Sequence, residues 1–353
     1  MPEPKEADIG SRLLGWCTGD YRGRTSASAL DIVVTADAEP TALLDGAAEL
    51  GLPLGSDTMV FWPDSLRPDA RLRQCAAQLS TYAGSVYAAD EDDLLVNGTV
   101  PLASVAYGGG PYLPVTGPTV LRITEPADYL DFLVEADRAA ARGLFAEHLT
   151  HPLMRLGDTC ALAGQLPCHS ARRRRALVTA TGLFHSPYGE PITTRPGTGC
   201  PCVRAIHTSA QLTAEGAARP WLARYTEVLG VLAALRAQTR PPANTTTVSG
   251  FGTRLTSAAT ATPTEAAGRP VIVCRDGEDL ICDPNSLRVM RVSGDVARVS
   301  ELMLAGDSID RGELTDQVAA ELAVGSRVAA GALNTVYDNL LGMGCALPEL
   351  SPV

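Results

Sequence analysis

The sequence has no run of about 18 apolar residues, the length a helix needs to cross a bilayer. Glu3, Glu6, Asp8, Arg12 and Asp20 stand where a secretory signal would need its apolar stretch, so no export is expected and the cytoplasm is the expected compartment. Lysine is almost missing: Lys5 is the single one, and the rest of the 29 basic residues are arginine. Basic residues are outnumbered by 40 acidic ones, a net charge of −11 that repels phosphate backbones and anionic lipid surfaces. Neither nucleic acid nor membrane is therefore an expected partner. Also lacking are a GxxxxGK[ST] loop, a GxGxxG fingerprint, an HExxH helix and a GxSxG elbow, so no nucleotide and no familiar catalytic machinery are expected. The glycine run Tyr107-Gly108-Gly109-Gly110-Pro111 has no helix start behind it to cradle a phosphate and reads as a turn.

What remains is a globular chain. Its 353 residues, 45% hydrophobic and 20% charged, suffice for two domains with real cores. In the first part, Leu30–Thr35 and Thr58–Trp62 read as strands, and 40–50 and 71–82 as helices, from the spacing of Leu43, Leu44, Ala47 and Leu50 and of Leu72, Cys75, Ala76 and Leu79. Ser85–Ala88, Leu94–Val96 and Thr119–Ile123 add short strands before a long helix predicted over 126–149. This alternation predicts an α/β domain over 1–150. Residues 151–239 hold an irregular Cys/His-rich segment followed by an amphipathic helix, 217–238, expected to pack on the first domain. Residues 240–268, rich in Pro, Thr, Ser, Gly and Ala, read as a flexible linker.

Beyond it, Pro270–Cys274, Leu280–Cys282 and Leu287–Val292 read as strands, with Asp276-Gly277 as a turn in a connection longer than a two-residue hairpin and Asp283-Pro284-Asn285 as the second turn. Three helices follow, 295–304, 313–322 and 327–343. Three strands and three helices in residues 269–347 predict a C-terminal winged-helix domain. The order of parts resembles the PqqD-like recognition element of ribosomally synthesised and post-translationally modified peptide (RiPP) pathways: a strand ending in Asp-Pro-Asn, a strand entering the first helix through Ser293-Gly294-Asp295, and a last helix ending Leu340-Leu341-Gly342-Met343-Gly344. The resemblance covers under a quarter of the chain. It implies that a precursor's leader peptide adds as a strand beside the third strand, at Leu287, Arg288, Val289, Met290, Arg291 and Val292, and packs on the third helix, at Ala329, Leu333, Val336 and Leu340, some of which must instead serve the core. The placement of such an element behind a large body is similar to daptide-type recognition proteins and to azole-forming cyclodehydratase partners, which implies modifying enzymes as further partners. The alternatives are a peptide-modifying enzyme component with a degenerate cyclodehydratase-like body, and a winged-helix regulator. The latter is disfavoured by seven arginines against thirteen acids from residue 269 onward.

Nine cysteines, an odd number in a chain read as intracellular, suggest thiols or metal ligands rather than disulfides. Cys160, Cys168, Cys200 and Cys202 lie among Gly and Pro residues that turn ligand loops, and four thiolates could make a tetrahedral structural zinc site, with His169, His185 or His207 replacing one of them. Cys17, Cys75, Cys274, Cys282 and Cys345 lie on apolar faces and are read as core. Cys168-His169, or a thiol beside His185, is the candidate for a catalytic pair. Arg172–Arg175 is the one basic cluster, either a grip for an acidic peptide or a solvated face.

Overall fold

Leu30–Val34 (β1) is apolar at nearly every position, and its residues 31–34 are buried on both sides, as the centre of a parallel sheet must be. The computed structural model describes residues 15–18, 30–39, 41, 43–44, 54, 58–68, 78–82, 93–95, 101–112, 114–115, 117–123, 125–157, 159–162, 174–184, 210–238, 246–257, 263, 266–306 and 308–351. Two compact units emerge, Met1–Leu130 with Leu153–Ala217, and Asp131–Pro152 with Ala218–Val353. The chain is a mixed α/β protein, and no helix among the described residues is long and apolar enough to cross a membrane.

The first unit holds Thr58–Pro63 (β2), Gln78–Tyr82 (β3), Asp93–Leu95 (β4), Pro101–Ala106 (β5), Thr119–Arg122 (β6), Met154–Leu156 (β7), Arg174–Thr179 (β8) and Gly182–Phe184 (β9). One sheet runs β3-β2-β1-β8-β9, parallel except for β9, and a second runs β4-β5-β6-β7. Alternate residues of the first sheet feed two cores. Ile32, Val34, Val60, Trp62, Ala176 and Val178 pack on one side, and Val33, Met59, Phe61 and Leu177 join Trp16 on the other. Of the helix expected over 71–82, residues 78–82 are instead β3, whose backbone pairs in parallel with buried β2. The ladder outweighs a helical spacing of apolar residues. Residues 71–77 and the strand expected at 85–88 lie outside the described residues, as does most of the helix expected over 40–50, of which Leu43 and Leu44 are helical. Arg175 is neither a solvated nor a ligand-gripping residue: buried, it donates to the carbonyls of Trp16 at 2.8 Å and Cys17 at 3.2 Å. Arg172 and Arg173 are outside the described residues.

The long helix Pro126–Arg142 (α1) stops nearly two turns before the expected 149. Gly143 follows at φ +67°, a left-handed conformation that glycine adopts without strain and that ends the helix. Short helices Thr159–Leu162 (α2) and Ala210–Ala217 (α3) lead to Leu222–Gln238 (α4), whose start lies just past Arg219-Pro220, where proline disfavours a continuous helix. Expected as an amphipathic helix on the first domain, α4 belongs instead to the second unit and buries eleven of its seventeen residues. Arg224 donates to the carbonyls of Arg269 and Pro270, and Arg275 to that of Leu235 at 3.5 Å.

The second unit is built on the sheet Thr246–Val248 (β10), Val271–Arg275 (β11), Glu278–Cys282 (β12) and Val289–Val292 (β13), antiparallel throughout and in that order. Helices Gly294–Leu304 (α5), Arg311–Leu322 (α6) and Ser326–Gly342 (α7) follow, with the short strands Ser308–Asp310 (β14) and Glu349–Ser351 (β15) pairing in parallel. Ser293 and Asp310 cap α5 and α6 by accepting from Val296 N and Glu313 N. Ile272 and Ile281 enter a core with Leu302, Leu314, Val318 and Leu333, while Val271, Val273, Leu280 and Cys282 are buried on the sheet's other face. Arg275 pairs directly with Glu278, so the Asp276-Gly277 connection is a two-residue hairpin after all. Both residues have positive φ, as a type I′ turn requires.

The expected linker also differs. Within 240–268, strand β10 closes the outer edge of β11, and the loop behind it folds down. Gly252 N donates to Ala140 O at 2.9 Å, and Phe251 is buried among Trp221, Tyr225 and Phe145. Ser249, Leu255 and Thr256 all donate to the buried carboxylate of Glu301 on α5. Composition alone concealed this clasp, because one distant carboxylate gathers its Ser249, Leu255 and Thr256 donors and a single aromatic residue, Phe251, anchors it.

Candidate functional site

The turn from β12 into β13 is organised by one carboxylate. Asp283, buried, accepts from the backbone N–H groups of Asn285 and Ser286, both at 3.1 Å, while Pro284 fixes the first step of the turn. Leu287 N then donates to Asp283 O at 2.8 Å, and Asp283 N donates to Arg288 O at 2.9 Å. Leu287 sits at φ +56°. Two residues thus oppose one, with the first in the left-handed region, which is the G1 bulge usually given to glycine. Leu287 and Arg288 therefore belong to the turn, and the third strand is Val289–Val292, two residues shorter than expected.

The bulge also sets which main-chain groups face outward. Asp283 and Arg288 form a hydrogen-bonded pair, so along an antiparallel ladder the next such pairs are Ile281 with Met290 and Asp279 with Val292. Val289 and Arg291 hold the positions between them, and their N–H and C=O groups point away from β12. Among the described residues no strand pairs with that side of β13. Side chains alternate as well: Met290 and Val292 are half-buried against the helical core, whereas Val289 and Arg291 are exposed. The Arg291 guanidinium is in ion-pair contact with Glu278 on the adjacent strand.

The third helix resolves differently. Ala329, Leu333, Val336 and Leu340 are all within 5% of complete burial and belong to the domain core, so none of them lines a surface groove. Their spacing of three and four residues is the signature of a core stripe, and the sequence pattern could not divide core from groove. The large apolar side chains that α7 exposes are Val328 and Leu341.

Of the four cysteines expected to hold zinc, Cys160 has its backbone in α2, and Cys168, Cys200 and Cys202 lie outside the described residues, together with His169, His185, His207 and Cys75. Among the described residues no group of three or more His, Cys, Asp or Glu side chains is placed to hold a metal. Cys17, Cys282 and Cys345 are buried, as expected of core thiols, while Cys274 is half-exposed. Burial pushes the Cys282 thiol up to about 12, and burial followed by the charge of Asp283 raises Cys345. In the first unit, the Tyr107–Tyr112 segment forms a 3-10 helix pinned by Asp128, which accepts from Gly108 N at 3.0 Å.

Comparison with protein-family models, with curated proteins and with solved structures finds no match to this chain.

Proposed function

We propose that this protein is a non-catalytic recognition and scaffold protein that binds the leader segment of a ribosomally made precursor peptide and presents it to separate modifying enzymes in the cytoplasm. The observation that carries the reading is the outer edge of β13, where Val289 and Arg291 direct main-chain donors and acceptors away from the sheet. A peptide strand satisfies such groups by β-augmentation, drawing affinity from backbone hydrogen bonds and specificity from alternate side chains. The order of three antiparallel strands and three helices supports a winged-helix plan of the PqqD-like kind. Closure of the opposite sheet edge by β10 supports β13 as the docking side. The Cys160, Cys168, Cys200 and Cys202 set is proposed as a structural zinc site of the body, tested by elemental analysis of protein purified without added metal.

The test pairs the protein with a candidate precursor peptide sought among the genes beside its own. A fluorescently labelled leader should bind saturably, and incubation of the precursor with this protein alone should leave its mass unchanged. Absence of leader binding overturns the recognition reading. Any mass change overturns the non-catalytic one.

A further inference from the structure

We propose that the free edge of β13 selects peptide segments that set an acidic residue opposite Arg291, with apolar residues on either side of it, an inference that rests on the strand-addition reading above. A residue of an added strand that lies directly opposite Val289 or Arg291 shares hydrogen bonds with it and projects its side chain on the same face. On that face stand the Arg291 guanidinium, with a side chain 68% exposed, and exposed Val289, while Arg288 alternates to the opposite face. The residues in between project toward Met290 and Val292, which are apolar and half-buried against the helical core. The edge thus offers one guanidinium beside an exposed valine on its solvent side and an apolar row on its helix side.

Glu278 holds one side of the Arg291 guanidinium from β12, which orients the group. A guanidinium has five N–H donors in a planar fork, enough for a second carboxylate arriving from the open side. The chain as a whole carries −11, so a preference for acidic peptide cannot come from bulk charge and must be local to this edge.

Two fluorescein-labelled decapeptides test this, one alternating leucine with glutamate and the other leucine with lysine, each titrated into the full chain at low ionic strength and followed by anisotropy. The glutamate peptide should bind about tenfold more tightly, the size expected when opposite-charge cross-strand neighbours replace like-charge ones. Arg291→Glu should invert the order, and Val289→Pro, with its fold verified by circular dichroism, should abolish binding of both peptides. Equal affinities, an order unchanged by Arg291→Glu, or no binding of the glutamate peptide overturns the proposal. Binding without charge preference that is lost in Val289→Pro would overturn acidic selection while leaving strand addition standing. Binding that survives Val289→Pro would overturn both.

Discussion

The Glu301 carboxylate on α5 accepts from both the backbone N–H of Thr256, at 2.6 Å, and the Thr256 hydroxyl, at 2.7 Å. Leu255 N adds a third bond to the same group at 2.9 Å, and Glu301 is only 2% exposed. One buried charge therefore anchors the segment that closes the β11 edge. Replacing it by alanine leaves several buried donors without an acceptor, at about 3 kcal/mol or more, since hydrogen bonds to charged groups are the costly ones to lose. Urea denaturation of Glu301→Ala should show this loss, and limited proteolysis should cut within 240–268 faster than in the parent. Glu301→Gln, which keeps one acceptor oxygen, should fall between the two. Unchanged stability and cleavage would mean that the clasp is held by other contacts.

The same clasp depends on a glycine. Gly252 has φ +67°, and a Cβ there would lie 2.3 Å from the Arg142 carbonyl carbon and from Gly143 N. Both neighbours are backbone and cannot swing aside, so Gly252→Ala combines left-handed strain with a clash. A loss of about 2–4 kcal/mol is expected. Leu287 is the reverse case: at φ +56° it occupies a position glycine fills freely, and Leu287→Gly should stabilise by about 0.5–1 kcal/mol. Thermal melts of the two variants should move in opposite directions.

Much of the second unit was legible in sequence because its signals are local. Asp283-Pro284-Asn285 and Asp276-Gly277 specify turns by their own chemistry, and the helix spacings of 294–342 place apolar residues on one stripe each. The clasp was not legible, since Thr256 and Glu301 are 45 residues apart and no periodicity links them. The groove side of α7 failed for a related reason. A three-four pattern reports burial without saying whether the domain's own core or a ligand does the burying, and here Leu333 and Leu340 go to the core. Strand β3 was misread because a parallel partner, β2, is a non-local cause.

Burial holds the Cys282 thiol at about 12, above its ordinary 9.0. In the unfolded chain the thiol ionises first as pH rises, so the unfolded state has lost protons that the folded state keeps. The stability associated with this group is therefore complete below pH 9 and is lost progressively as pH climbs toward 12. Between those limits one such group contributes a slope of about 1.4 kcal/mol per pH unit. Urea titrations between pH 9 and 10.5 should show a shallower decline in Cys282→Ala than in the parent, and the folded parent's Cys282 should resist alkylation until denaturant is added. Identical slopes in the two proteins would show that this thiol ionises as readily folded as unfolded.

Proline scanning of β13 separates the outward main-chain groups from the inward ones. Met290 N–H faces β12 in a hydrogen-bonded pair with Ile281, so Met290→Pro removes an internal ladder bond and should destabilise the unit by about 3 kcal/mol. Val289 and Arg291 direct their N–H groups to the open side, where proline is tolerated as it is on other edge strands. Val289→Pro and Arg291→Pro should therefore keep near-parental denaturation midpoints while weakening leader binding by tenfold or more, about 1.4 kcal/mol, because each takes away a donor that only an added strand would use. Circular dichroism and urea melts report the first quantity, and fluorescence titration with the cognate leader reports the second. If Met290→Pro melts like the parent while Val289→Pro unfolds, the bulge at Leu287 sets the opposite phase and the outward row belongs to Met290 and Val292. If the two edge variants fold and bind the leader with parental affinity, the peptide does not add to β13, and docking must be sought at side chains such as Val328 and Leu341 on α7.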